Sequence, residues 1–313
     1  MKLVSVLVVS ILLFEFSRAY LMSSFNIQVF GDKKMSKKHI PPILAKILSR
    51  YDLTCIQEIR DSDGDSLGKL VNLINSGRNN QEGYVGLAGE RLGRTSSKEQ
   101  YGVIYLPKKF TLSNLRTYPN HRSEFERPPM QVHVKPKAPG IPNFELLIVH
   151  LDPQKVFEEM EALYEVAQEV VTKINDNLLI LGDMNAGCSY LSKSKKKTLK
   201  FTQDTSYTWL VNDNLDTTVG KTDCAYDRLI VHGEKLRKTL VRNSVKAYRY
   251  PEAMHLDQKT ALEVSDHYPV EIEMKSSSGN QPRLGNSNVK GTEEPGNNCE
   301  PVGKPQTASS LPR

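Results

Sequence analysis

The sequence predicts an α/β (α+β) fold in which mixed β-sheets pack in two layers with helices outside them. Three observations lead there. Short apolar runs recur along the chain, at residues 53–57, 101–105, 144–149, 178–182 and 270–274, each of strand length. Segments with apolar residues at helical spacing lie between some of them, the longest over residues 156–174. The two kinds do not alternate as a regular strand–helix–strand series, which favours mixed sheets over one parallel sheet.

The elements follow in order. Residues 24–30 alternate and predict a first strand. Pro41 and Pro42 open a helix through Ile43, Leu44, Ile47 and Leu48, because a fixed φ and a missing N–H cost nothing in a first turn. The next strand, 53–57, ends on Glu58. Leu67, Leu70, Val71 and Ile74 mark another helical face. Gly86, Gly89 and Gly93 predict a bend into the strand 101–105, with Glu99 just ahead of it. Residues 116–128 read as a polar connection holding Arg122 and Arg127. The strand 144–149 ends on His150. After the long helix, the strand 178–182 leads to Asp183 and Asn185. A further strand carries Asp227, and Asp266 and His267 precede the last strand, 270–274.

Both ends differ from this middle. Met1-Lys2, an apolar run over 3–14, and Ser17-Arg18-Ala19 have the layout of a secretory signal peptide, expected over residues 1–19. The run is shorter than the roughly 20 apolar residues that span a bilayer, and no membrane span is expected. Beyond Lys275, Ser, Gly, Asn, Pro and Gln dominate and aromatics vanish, so 275–313 is expected to be a disordered tail. That leaves a catalytic domain over 20–274. The 313-residue chain carries a formal charge of +6, and losing Lys2, Arg18 and Glu15 with the first segment leaves +5. A mild positive charge suits an anionic polymer. Four cysteines do not make a disulfide scaffold in a chain long enough to bury its own core. Cys55 reads as a buried thiol. Cys188 and Cys224 are the natural pair, and Cys299 is left over.

Acids, amides and imidazoles at strand ends can meet in one mouth. Glu58, Asp183, Asn185, Asp266 and Asn26 offer the oxygen ligands that magnesium prefers, while zinc-type Cys and His spacing is absent. Glu99 can orient His150 and Asp227 can orient His267, fixing each tautomer and raising each imidazole's basicity. One histidine then activates water and the other assists the leaving oxygen. Taken singly, an acid at a strand end usually caps a turn or meets solvent. Their joint placement lifts these residues above that reading. The run Lys193-Ser194-Lys195-Lys196-Lys197 reads first as a solvated face and second as a phosphate-binding patch.

Five strings, in order, resemble the deoxyribonuclease I family: Ile56-Gln57-Glu58-Ile59-Arg60-Asp61-Ser62, Leu92-Gly93-Arg94 with Lys98-Glu99, Gly182-Asp183-Met184-Asn185-Ala186-Gly187-Cys188-Ser189-Tyr190, Cys224-Ala225-Tyr226-Asp227-Arg228, and Ser265-Asp266-His267-Tyr268-Pro269-Val270. Gly187 and the Lys98-Glu99-Gln100-Tyr101 string look most like the gamma (1-like 3) branch. The resemblance implies a four-layer sandwich of the endonuclease/exonuclease/phosphatase type: two packed mixed sheets flanked by helices. It implies a secreted nuclease, expected to be a monomer, that uses Mg2+ (or Mn2+) and Ca2+ on DNA and leaves 5′-phosphate ends. The implied roles are acid/base for Glu99–His150 and Asp227–His267, and metal or phosphate binding for Glu58, Asp183, Asn185, Asp266 and Asn26. Asp216, Thr218 and Thr222 match a structural calcium loop, Arg60 and Arg127 match DNA contacts, and Cys188–Cys224 matches the family's disulfide.

Departures from the pattern bear on DNA grip. Ser97 stands where the family usually has a tyrosine that meets the minor groove, and Gln28 where some members have arginine. Pro128 replaces an acidic neighbour of Arg127, Leu151-Asp152-Pro153 follows His150, and the short 116–128 segment lacks a second calcium loop. Spacing differs near Tyr84, where the founding member meets actin, which argues against actin binding. Two rival readings remain at this point: another phosphodiesterase of the same fold, and a catalytically weakened DNA-binding protein.

Overall fold

The computed structural model describes residues 19–78, 82–119 and 123–276. Most of the expected signal segment, the tail beyond Ser276 with Cys299, and Arg122 lie outside these residues. Twelve strands are seen among the described residues: β1 (Tyr20–Phe30), β2 (Leu53–Ile59), β3 (Val85–Ala88), β4 (Gln100–Tyr105), β5 (Phe110–Thr117), β6 (Met130–Pro136), β7 (Phe144–His150), β8 (Leu178–Asp183), β9 (Tyr207–Trp209), β10 (Asp227–His232), β11 (Lys246–Ala247) and β12 (Val270–Met274). The helices are α1 (Asp32–Met35), α2 (Ile40–Leu48), α3 (Ser66–Ser76), α4 (Val156–Lys173), α5 (Lys193–Thr198), α6 (Lys200–Gln203), α7 (Glu234–Thr239), α8 (Tyr250–Ala253) and α9 (Gln258–Val264).

The strands form two six-stranded sheets, ordered β11-β12-β1-β2-β4-β3 and β5-β6-β7-β8-β10-β9. Each holds one parallel pair at its centre, β1 with β2 and β7 with β8, and is otherwise antiparallel. The sheets are therefore mixed, as expected. Their facing sides share a core that includes Met22, Cys55, Val103, Val132, Leu146, Leu181, Leu229 and Ile272. Alternate residues point the other way, as the pleat requires. Phe25, Ile56 and Ile104 pack under Leu44, Ile47, Leu70 and Val264 of the helices outside the first sheet. Leu147, Val149 and Ile180 pack under Met160, Leu163 and Val170 of α4 outside the second. Four layers result. Burial on both faces explains why the central strands read as unbroken apolar runs.

Some elements depart from expectation. β1 begins at Tyr20, four residues early, because Tyr20 pairs with Met274 of β12. The polar connection over 116–128 is shorter than expected: Arg116 and Thr117 still belong to β5, paired with Gln131 and Met130 of β6. The lysine run forms α5, where Lys196 is not merely solvated: it pairs with Asp213 and lies 4.3 Å from the Trp209 ring centre. Cys55 is a buried free thiol, and Cys188–Cys224 is a disulfide with Cα atoms 5.8 Å apart.

Candidate active site

Strand register assembles the site. His150 ends β7 beside Asp183 of β8, and Asp183 faces Asp227 of β10. Asn26 of β1 lies beside Gln57, so Glu58 follows one residue on. Both β1 and β2 then break register, between Asn26 and Phe30 and between Ile56 and Ile59. The irregularity turns Gln28, Val29 and Glu58 to positive φ, of 34°, 53° and 61°. Bulges of this kind re-aim side chains, and strained backbone concentrates at functional sites. Asn185 also has positive φ, 49°. Gly182 precedes Asp183 with φ of 144°, and a Cβ there would lie 1.9 Å from the Val149 carbonyl oxygen. Only glycine lets β8 approach β7 at that point.

Two dyads converge on one oxygen. His150 Nδ1 meets Glu99 Oε2 at 3.3 Å and His267 Nδ1 meets Asp227 Oδ2 at 2.7 Å. The opposite nitrogens, both Nε2, lie 3.6 and 3.5 Å from Asp183 Oδ2. Asn26 Nδ2 donates to that same oxygen and to Glu58 Oε1, each at 3.1 Å. The Asn185 N–H donates to Asp183 Oδ1 at 3.0 Å, and its side-chain amide holds Leu151 O at 3.0 Å. Asp266 Oδ1 lies 3.8 Å from His267 Nε2. All nine residues expected at the mouth are thus linked in one cluster.

Charge is distributed unevenly there. Burial would raise the Asp183 carboxyl, but His267, His150 and hydrogen bonds from Asn185 and Asn26 outweigh it and hold it below the ordinary range. Burial would likewise raise Glu99, yet the hydrogen bond from His150 and the cations Arg127 and Arg60 bring it down. Burial would lower His267, and Asp227 and Asp183 instead lift it well above an ordinary imidazole. His150 is raised too: burial opposes, and Glu99 and Asp183 prevail.

Further residues hold these groups in place. The Tyr101 hydroxyl accepts the His150 N–H at 2.9 Å and donates to Arg127 O at 3.2 Å. Thr217 Oγ1 accepts the Asp227 N–H at 3.2 Å. Ser265 Oγ donates to Asn26 O at 2.6 Å and accepts the His267 N–H at 3.0 Å, joining the first strand to the last site string. Glu159 of α4, fully buried, accepts the N–H of Glu126 at 2.7 Å and of Asp152 at 2.9 Å. Ser265 and Tyr101 lay inside strings already singled out and Thr217 inside the expected calcium loop, while Glu159 carried no sequence signal toward this site.

Arg127 is turned inward. Its side chain is only 12% exposed, with Nε 2.8 Å from Glu99 Oε1 and donating to His150 O at 2.9 Å. Arg60 bridges Glu58 Oε2 at 3.4 Å and Ser97 Oγ at 3.1 Å. At the expected calcium loop, Asp216, Thr218 and Thr222 do come together. Asp216 Oδ1 accepts from Thr218 and Cys224, Thr218 Oγ1 donates to Thr222 O at 2.6 Å, and Arg249 pairs with Asp216 Oδ2 at 3.2 Å.

The residues fit a hard dication. Asp266 Oδ1 and Asp227 Oδ1 are buried without a hydrogen-bond partner, and Glu58 and Asp183 supply carboxylate donors of the type magnesium takes, while Asn26 turns its amide nitrogen toward both carboxylates and its oxygen toward the Gln28 N–H.

Residues 23–267 match the endonuclease/exonuclease/phosphatase family. Curated relatives include Deoxyribonuclease-1-like 2 of Mus musculus, 35% identical over 82% of this chain and 91% of that protein. Deoxyribonuclease-1 of Homo sapiens is 34% identical over 88% and 99%. The chain belongs to the deoxyribonuclease I family. Solved structures carry the same fold at low identity. The human Nocturnin catalytic domain aligns with TM-score 0.55 and 15% identity over 82% of this chain and 93% of that one. A mannosyl-6-phosphatase of Bacteroides thetaiotaomicron aligns with 0.52 and 15% over 82% and 99%.

Proposed function

We propose that this chain is a secreted, divalent-metal-dependent deoxyribonuclease that cuts within DNA strands with little sequence preference and leaves 5′-phosphate ends. The observation that carries the reading is the convergence of two carboxylate-held imidazoles, Nε2 first, on Asp183 Oδ2 at 3.6 and 3.5 Å. A phosphodiester between them meets a base on one side and an acid on the other. One imidazole takes a proton from water at Nε2. The resulting hydroxide forms a bond to phosphorus while the bond to O3′ breaks. The other imidazole, protonated at Nε2, gives its proton to O3′. Glu99 and Asp227 hold the opposite nitrogens and keep both tautomers fixed.

Glu58, Asp183, Asn185, Asp266 and Asn26 are the residues that would hold Mg2+ or Mn2+. Such an ion, when bound, offsets the negative charge that builds on the phosphoryl oxygens. Asp216, Thr218 and Thr222 are the residues that would hold Ca2+ as a structural ion. Arg60 and Arg127 are the proposed DNA contacts nearest the dyads. The 1–19 segment supports secretion, and no helix among the described residues is long and apolar enough to cross a membrane. The chain is proposed to act as a monomer, without actin as a partner.

Plasmid nicking by the mature protein tests this directly. Relaxed circles should appear with magnesium and calcium and vanish with EDTA. Folded protein that never nicks, or that hydrolyses sphingomyelin or inositol phosphates instead, would overturn the reading.

A further inference from the structure

Beside the dyads runs a groove of about 840 Å³ between the end of β1 and the helices α1 and α9. It starts at the site itself, because the Val29 N–H donates to Glu58 Oε2 at 2.9 Å. That bond goes with a Val29 φ of 53°, a conformation a β-branched residue rarely adopts, and the residue is 48% exposed. Leu262 of α9, across the groove, is 39% exposed. These two are among the few large hydrophobics exposed on the described surface, and they share one floor.

The rim is cationic. Lys33, Lys37 and Lys259 line it and are exposed. Lys33 and Lys259 have no ion-pair partner among the described residues, and Lys37 shares Glu263 with His39. Three lysines against one carboxylate leave a net positive edge above an apolar floor. The two walls are fastened together by buried Lys34, which donates to Ile27 O at 2.8 Å and Val264 O at 2.6 Å. The lining is therefore a built feature of the fold.

We infer that this groove carries the DNA strand flanking the scissile phosphate, with Lys33, Lys37 and Lys259 meeting backbone phosphates and Val29 and Leu262 meeting the sugar and base edges. The inference rests on the deoxyribonuclease reading and adds a binding track to it. Phosphate contacts by lysine give sequence-independent, salt-sensitive affinity, which suits a cutter of general DNA. The track meets Glu58 Oε2 through Val29, and Arg60 links that same oxygen to Ser97, where the family's minor-groove tyrosine is missing.

The test compares a Lys33→Ala/Lys37→Ala/Lys259→Ala variant with a Lys235→Ala/Lys238→Ala/Lys275→Ala control. The control removes the same charge from another groove, lined by Ile141, Lys235 and Lys275. Steady-state nicking is measured across salt concentrations, and duplex binding is measured by fluorescence anisotropy in EDTA. The groove variant should keep kcat at saturating DNA and raise KM. Its log–log salt slope should be shallower by about 0.9 per lost contact, so the wild-type advantage shrinks about 40-fold between about 50 and 200 mM salt if all three lysines engage. Leu262→Glu should also weaken duplex binding. Equal behaviour of groove and control variants in both assays overturns the inference. So does a groove variant that loses binding to anionic phospholipid vesicles but binds DNA as the wild type does. Wild-type protein that binds DNA through the groove but never cuts would sink the parent reading and leave this one standing.

Discussion

Replacing Arg127 with Ala tests whether the inward turn of this arginine matters to the dyad it touches. The guanidinium lies 2.8 Å from Glu99 Oε1 and donates to His150 O, in a pocket where Glu99 is almost fully buried. Removing one partner of such a pair costs up to about 3–5 kcal/mol in stability, with His150 and Arg60 still beside Glu99 to offset part of it. For a domain of this size that is a fall of roughly 6–20 °C in Tm. The Glu99 carboxyl then loses one of the cations that hold it below its ordinary range, and His150 loses an anchor on its carbonyl. Loss of a group that orients a catalytic one typically costs about 10–100-fold. Differential scanning calorimetry reads the first effect, and nicking at saturating DNA reads the second as a fall in kcat. An arginine that only meets phosphate would behave otherwise: unchanged Tm, unchanged kcat, raised KM and a shallower salt slope. That pattern would refute the positioning role.

Three further outcomes are expected. His150→Ala and His267→Ala should each lower kcat by about 10²–10⁴-fold, and the double variant should fall little further, because the two act as a unit; single-turnover cleavage measures this, and fully multiplicative losses would contradict it. Glu99 has its folded pKa depressed, so the stability it contributes is present above its unfolded pKa of about 4.3 and is lost as pH falls through the folded value; Glu99→Gln should flatten the acid side of a urea-midpoint profile below about pH 4.3, and an unchanged profile would count against the pairing. Gly182→Ala should lose at least about 3 kcal/mol or fail to fold, since its Cβ meets the Val149 carbonyl at 1.9 Å and neither strand can yield; wild-type urea stability would show that β7 and β8 can separate.

The sequence carried the central strands because they are apolar on both faces. Residues 144–149 and 178–181 needed no partner to be read as strands, and their tips named His150 and Asp183. β5 and β6 were harder. The exposed edge strand β5 alternates weakly, and Met130–Pro136 carries His133 and Lys135 and ends on proline, so its pattern resembles a loop. The short helices α5 to α9 have too few turns for periodicity to register. In the site, local strings supplied Glu58, Asp227, Asp266 and His267 because each lies beside a recognisable strand. Their convergence on Asp183 Oδ2 follows from sheet register and from bulges after Asn26 and Ile56, which no local pattern announces. Glu159 and Tyr101 act across 33 and 49 residues of chain, so only the folded backbone reveals them.

The pairing of β12 with β1 has a consequence for biosynthesis. Asn26 leaves the ribosome 239 residues before Ser265, yet the Ser265 hydroxyl bonds the Asn26 carbonyl directly. Until that last strand emerges and docks, the first sheet lacks its inner neighbour and one whole proton-transfer arm. A growing polypeptide that has not yet reached His267 lacks one of the two imidazoles, and the site is complete only once β1 and β12 pair.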